Sequence, residues 1–203
     1  GGGWATRMVA HDRQLHPVPH DWSDEAAVMV EPTACAIHGA LAAHVDAADT
    51  VAVIGAGTLG LLTVAALDRW TPPATLVVAG KHPPQRGLAR GLGATAVCAP
   101  GELGRVVRRV TGSLVYGDTG RLTGGADVVL DCVGSEASLT QALAVVRPKG
   151  RVVVIGMPGQ VSLDLTGLWH REVALVGAYA YGTEHLPDGT VRRAFDLAFE
   201  LVG

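Results

Sequence analysis

The segment Val51-Ala-Val-Ile-Gly-Ala-Gly-Thr-Leu-Gly60 runs directly into Leu61-Leu-Thr-Val-Ala-Ala-Leu67, and no other stretch constrains the fold as tightly. An apolar, β-branched run reads as a buried strand, the glycines as a turn, and the following apolar spacing as a helix. Strand, glycine turn and helix in this order are what a dinucleotide-binding unit requires. Gly55 allows the sharp turn out of the strand, Gly57 lets the backbone approach a pyrophosphate, and Gly60 lets the helix lie close on the sheet. Ala56, Thr58 and Leu59 complete the turn, and the free N–H groups of the helix start face the anion with the positive end of the dipole. GxGxxG alone is a weak signal that an ordinary strand-to-helix turn shares. The flanking strand and helix periods are what favour cofactor binding.

Beyond this unit the same alternation continues. Residues 51–54, 75–79, 94–98, 126–131, 151–155 and 173–178 read as strands, and residues 58–70, 84–92, 103–110, 136–146 and 191–202 as helices. The expected fold is α/β, a doubly wound parallel six-stranded sheet of the Rossmann type. The first fifty residues break the pattern. Residues 4–11 read as a short strand and 16–20 as a proline-bearing turn. Ser23, with Asp24 and Glu25, caps an apolar helix, and Pro32 opens a second helix at its first position. We expect residues 1–30 to be a junction from an earlier domain and 31–203 to be the nucleotide domain.

A net charge of −3, with arginines scattered apart from Arg105, Arg108 and Arg109, disfavours a nucleic-acid partner. The apolar runs all fall short of the roughly 20 residues a bilayer span needs, so no membrane partner is expected, and no secretory pattern opens the chain. Cys35, Cys98 and Cys132 are odd in number, far apart and set among apolar neighbours. They read as reduced core thiols of a cytoplasmic protein, with no CxxC pair for a structural zinc. A start at Gly1 without Met and a stop at Gly203 directly after an apolar helix suggest that both ends are truncated.

At Glu31-Pro-Thr-Ala-Cys-Ala-Ile-His38, Val51 to Gly60 and Asp131-Cys-Val-Gly134, the chain resembles the zinc-dependent medium-chain dehydrogenases, closest to the threonine, sorbitol and polyol dehydrogenase branch. The resemblance spans nearly all 203 residues but only part of the family's length. It implies that the N-terminal segment is a remnant of a GroES-like catalytic domain, and that a complete catalytic set is not contained in this chain. By the same resemblance Glu31 belongs in or beside the catalytic zinc shell, although a carboxylate there also suits a helix N-terminus. One carboxylate cannot hold zinc alone, so zinc is expected in the full-length family and not on this chain by itself. His38, two turns beyond Glu31, reads as a packed or cofactor-proximal residue, and His11, His16 and His20 as a solvated junction.

Twenty positions past Gly60, where NAD-specific folds carry an acid for the ribose hydroxyls, stands Gly80. With Lys81, His82 and Arg86 next in line the pocket is open to a 2′-phosphate, which favours NADP over NAD. The resemblance implies that Cys132 and Val133 line the nucleotide, that Met157 and Ala178 present backbone groups to the nicotinamide, and that two subunits join as a homodimer through the sixth strand at the sheet edge. Asp131 reads either as part of that edge or as a cap for the helix near Glu136. The implied activity is hydride transfer between a primary or secondary alcohol and NAD(P), with an alcohol or ketone as the small-molecule partner. Three alternatives stay open: a zinc-free quinone or enoyl reductase, a non-catalytic NAD(P)-binding module, and a methyl-donor-binding α/β domain.

Overall fold

The computed structural model describes residues 5–203. Six strands, β1 (Thr50–Ile54), β2 (Thr75–Ala79), β3 (Ala96–Cys98), β4 (Ala126–Asp131), β5 (Val146–Val154) and β6 (Ala174–Gly177), form one sheet in the order β3-β2-β1-β4-β5-β6. Every neighbouring pair is parallel. The order reverses between β1 and β4, the switch point at whose carboxyl edge open α/β sheets bind ligands. The helices are α1 (Asp24–Val28), α2 (Val30–Ala42), α3 (Thr58–Trp70), α4 (Pro83–Gly91), α5 (Leu103–Thr111), α6 (Glu136–Val145), α7 (Thr166–His170) and α8 (Ala194–Val202). Among the described residues no helix is long and apolar enough to cross a membrane.

The central strands β1, β2 and β4 are mostly apolar because both faces of the sheet are covered there. Successive side chains alternate between faces. Val51, Val53, Leu76, Val78 and Leu130 therefore join a core with Ile37 and Leu41 of α2, Val64 and Leu67 of α3 and Leu197 of α8. Ala52, Ile54, Val77, Ala79 and Val129 join a second core with Leu103 and Val107 of α5 and Ala142 and Leu143 of α6. This double cover holds the carboxyl ends of β1, β4 and β5 in register, with Ile54 beside Asp131 and Asp131 beside Val154.

Several expected elements differ. Residues 5–10 form no strand, and Trp4 lies outside the described residues. Met8 and Val9 are exposed, His11 N donates to the Gln14 side chain, and Gln14 N donates to His11 O. A strand without a neighbour has nothing to pair with, so apolar alternation is not enough there. Helix α2 begins at Val30 and not at Pro32, which occupies its third position. The first turn has no intrahelical N–H partners, so proline is tolerated anywhere in it. Strand β5 starts at Val146 directly from α6, and its register against β4 shifts between Ala126 and Val128. The irregularity absorbs Pro148 and the left-handed Lys149 (φ 60°), which read as a loop in the sequence. Residues 191–193 are not helical; they form β8 (Val191–Arg193), which pairs antiparallel with β7 (Thr183–His185) before α8 begins.

Candidate functional site

The three glycines of the turn are not equivalent. Gly55 has φ +94°, a conformation that side chains disfavour, and a Cβ there would lie 2.6 Å from Val133 Cγ2. A Cβ on Gly60 would collide with the Gly55 carbonyl oxygen and sit 2.9 Å from its carbonyl carbon. Both positions are fixed by the protein's own packing. A Cβ on Gly57, by contrast, would meet nothing within 4 Å, so this glycine leaves space that the protein does not fill. Gly57 caps α3 without a side-chain hydrogen bond, and Leu61 N closes on Gly57 O at 2.9 Å. The N–H groups of Thr58 and Leu59, one turn earlier, are left to an outside acceptor.

Beside this turn the edge of β4 is locked by Asp131. Its fully buried carboxylate accepts hydrogen bonds from Val133 N (2.9 Å), Gly134 N (3.2 Å) and the Ser138 hydroxyl (2.9 Å). Ser135, not Asp131, is the N-cap of α6, accepting from Ser138 N. Gly134 (φ +76°) lies so close to the end of β5 that a Cβ on Gly156 would come within 2.6 Å of its nitrogen. Val133 is exposed on this edge. Cys132 points its thiol inward toward Thr63 Oγ1 (3.8 Å), and burial pushes that thiol up to about 12. Any nucleotide contact by Cys132 is thus left to its backbone.

Three cavities border the glycine turn, and two of them open along the carboxyl edge of the sheet. One, of about 460 Å³, is lined by Gly55, Gly57, Lys81, His82, Gln85 and Val133. The other, of about 880 Å³, runs from Thr58 and Leu59 along the ends of β5 and β6, past Met157 and Ala178 to Glu31. At the β2 edge, a Cβ on Gly80 would lie 2.9 Å from Ala56 Cβ and 3.1 Å from Arg86 Cγ, so packing opposes any carboxylate side chain there. Arg86 Nη1 donates to Gly80 O (2.8 Å) and Lys81 O (3.1 Å), which fixes its guanidinium over the strand end. Lys81 and His82 are exposed beside it, and His82 N donates to Gln85 Oε1 at the start of α4.

Glu31 lies in the first turn of α2 and lines the larger cavity. One turn on, Cys35 Sγ donates to Glu31 Oε1 at 3.6 Å, and burial together with the Glu31 charge pushes this thiol up to about 11. Tyr181 is raised as well, first by burial and then by Glu31 and Cys35. Among the described residues no three His, Cys, Asp or Glu side chains converge as a metal set. Glu31 and Cys35 make two donors, short of the three protein ligands of a catalytic zinc, so the chain's own residues do not complete such a site. His38 is committed elsewhere, its Nδ1 2.9 Å from Oε1 of the buried Glu184 on β7. His16 is not simply solvated: its ring stacks on Phe195 with centroids 4.1 Å apart. His11 and His20 are exposed.

Residues 58–200, well over half of the chain, match the zinc-binding dehydrogenase family. The chain belongs to that family. It is 28% identical over 184 residues to sorbitol dehydrogenase of Bacillus subtilis, covering 86% of this chain and 49% of that one. It is 31% identical to the "Probable D-xylulose reductase A" of Arthroderma otae over 203 residues, covering 100% of this chain and 53% of the relative. Among solved structures, a Sinorhizobium meliloti protein described as a zinc-binding dehydrogenase bound to NADP superposes with a TM-score of 0.69 at 28% identity, covering 91% of this chain and 50% of that chain. The chain thus spans about half the length of the family relatives it matches.

Sequence reasoning passed over Gln85 and Gln141, which line the smaller cavity, and Gly156. Gln141 Nε2 donates to Pro100 O at 2.6 Å and so joins α6 to the β3 exit. A contact between residues 41 apart leaves no local sequence signal. Cys35 could have been found, since four residues is the spacing that places it beside Glu31 on a helix.

Proposed function

We propose that this chain is the cofactor-binding part of an NADP-dependent alcohol or polyol oxidoreductase, with residues 31–203 forming the nucleotide domain and residues 1–30 the end of a catalytic domain and its junction. The observation that carries the reading is the contrast at the glycine turn: Gly55 and Gly60 are filled by the protein, while Gly57 faces open space beside free helix N–H groups. That is the shape and polarity a pyrophosphate needs. Gly80, closed to a carboxylate, and the fixed Arg86 guanidinium favour a 2′-phosphate over free ribose hydroxyls. The NADP in the Sinorhizobium meliloti relative supports the same choice.

In this reading Gly55, Ala56, Gly57, Thr58, Leu59 and Gly60 bind the pyrophosphate, and Gly80, Lys81, His82 and Arg86 surround the 2′-phosphate. Cys132 and Val133, Met157 and Ala178 offer backbone edges to the nicotinamide half in the larger cavity. When bound, the nicotinamide supplies the carbon that accepts or returns hydride. The chain's own part is to hold that ring against the ends of β5 and β6, while apolar Leu139 and Ile155 keep water from the path. Glu31 stands at the cavity wall as one oxygen donor toward a metal whose other ligands would come from outside this chain. The free cysteines are consistent with a cytoplasmic setting. Exposed Leu175 and Val176 on the edge strand β6 support a homodimer through that edge.

Titration of NADPH and NADH against intrinsic tryptophan fluorescence tests the proposal. NADPH is expected to bind more tightly, and Arg86→Gln to weaken NADPH by about 10- to 100-fold, the worth of one charge-assisted hydrogen bond, with NADH little changed. Tighter NADH overturns the cofactor choice. Binding of neither nucleotide overturns the reading of the turn.

A further inference from the structure

At the opposite end of the sheet, where β4, β5 and β6 begin, a cavity of about 230 Å³ is lined by Tyr116, Arg121, Thr123, His170 and Arg171, with Leu122 and Pro148. No carboxylate lines it. Arg171 is 6% exposed, and no acid pairs with it among the described residues. Its Nη1 donates to Leu143 O (3.1 Å), and its Nη2 to the carbonyls of Leu122 (2.9 Å), Gly124 (3.2 Å) and Val146. These carbonyl dipoles engage both terminal nitrogens of the guanidinium but do not cancel its charge. Arg171 nonetheless lines the cavity, where its charge meets no carboxylate.

The second guanidinium is held in place too. Arg121 lies against Gly167, where a Cβ would come within 2.9 Å of its Nε, and its Nη2 is paired with Asp164. Asp164 is 65% exposed, so this ion pair is weak enough to exchange. Arg121 and Arg171 are close enough that Arg121, after burial, depresses the basicity of Arg171. The Tyr116 and His170 rings stand 6.4 Å apart on the same wall. Two like charges, a phenol and an imidazole around a cavity without an acid make a receptor for a tetrahedral oxyanion.

We propose that this cavity is a binding site for phosphate or a small phosphate monoester, separate from the nucleotide edge, in which the anion bridges Arg121 and Arg171 and displaces Asp164 from Arg121. The strands β4 and β5 separate it from the glycine turn, so its occupancy acts on the stability of the β4–β6 half of the sheet and not by contact with the nucleotide.

The test is thermal unfolding of the protein with inorganic phosphate titrated against chloride at constant ionic strength, which removes general screening. Four proteins are compared: wild type, Arg121→Gln, Asp164→Asn and Gly57→Val, the last blocking the glycine turn as a competing phosphate site. The expected result is a phosphate-dependent rise in Tm that survives Gly57→Val and is lost in Arg121→Gln, with apparent affinity weakened about tenfold or more. Asp164→Asn removes the competing carboxylate and is expected to tighten phosphate several-fold, which a merely structural Arg121–Asp164 pair would not do. If Arg121→Gln fails to fold, Asp164→Asn and His170→Ala carry the test, the latter expected to weaken binding. A phosphate response that disappears in Gly57→Val, persists unchanged in Arg121→Gln, or is absent from wild type overturns the proposal. Failure of the nucleotide titrations leaves this outcome unaffected.

Discussion

Replacing Asp131 separates the two roles its position suggests. In Asp131→Ala three donors lose their acceptor together: Val133 N, Gly134 N and the Ser138 hydroxyl. A buried donor left unmade costs about 1–3 kcal/mol. The Ser138 hydroxyl has a second acceptor in Ser135 O at 3.0 Å, and the Val133 amide is only partly buried and can recruit water, so the sum falls to about 3–5 kcal/mol. In Asp131→Asn the amide oxygen can keep both backbone N–H groups, and its NH₂ can donate to Ser138 Oγ. The expected loss is then about 1 kcal/mol, mostly the charge assistance. Urea unfolding followed by tryptophan fluorescence resolves the two. With a slope near 2 kcal/mol/M, alanine lowers the midpoint by about 1.5–2.5 M and asparagine by about 0.5 M. Because the same bonds hold Gly134 against Gly156, alanine also weakens NADPH binding while asparagine leaves it within a few-fold. Equal losses for the two variants, or an alanine variant within about 1 kcal/mol of wild type, would refute the view that Asp131 braces this edge through its three acceptor contacts.

Gly57→Ala is expected to fold and to lose no more than about 1 kcal/mol, the N-cap preference of glycine over alanine, since its Cβ meets nothing, while NADPH affinity falls about tenfold; Gly60→Ala is expected to lose about 3 kcal/mol or more against the Gly55 carbonyl, as read by urea midpoint and nucleotide titration. Burial and Glu31 raise Cys35 to about 11, which disfavours its thiolate, so at pH 7.5 roughly one thiol in a few thousand is reactive and alkylation should climb steadily toward pH 11. Glu31→Gln is expected to speed alkylation of Cys35 several-fold at pH 8 by mass spectrometry, and an unchanged rate would show that the Glu31 charge does not act on it. If the chain forms the proposed dimer through β6, Val176→Asp is expected to shift it to monomer by light scattering, whereas a wild-type protein already monomeric at micromolar concentration would sink the edge pairing.

What was legible in the sequence follows from where the determinants are local. The α3 and β2 bounds, Thr58–Trp70 and Thr75–Ala79, follow from periodicity because both faces of the sheet are buried and the strand runs are continuous. The hairpin at Thr183–His185 and Val191–Arg193 leaves no sequence signal because its strands are short and mostly polar, and the buried Glu184 meets His38 of α2 from 146 residues away. The same distance rule hid the bracing of Arg171. A lone arginine before a strand reads as a surface charge, and only the folded chain brings the carbonyls of Leu122, Leu143 and Val146 around it.

At the candidate site the three glycines of Gly55-Ala-Gly-Thr-Leu-Gly60 are expected from the pattern to play separate parts, and the folded chain gives their missing side chains different physical causes. At Gly55 and Gly60 the space is already occupied by Val133 and by the Gly55 carbonyl, so these positions answer to folding and would be required in a turn that bound nothing. At Gly57 the space is empty, so the glycine makes no contribution to packing that alanine could not match. As the N-cap of a 13-residue helix Gly57 is favoured over alanine by up to about 1 kcal/mol, and the open space beyond it at the bare helix N-terminus also leaves room for a ligand's close approach. The Gly57→Ala and Gly60→Ala pair therefore tests more than two contacts: a stable Gly57→Ala protein that binds NADPH as well as wild type would leave the open space at the turn without a ligand and would remove the central support for the proposed function.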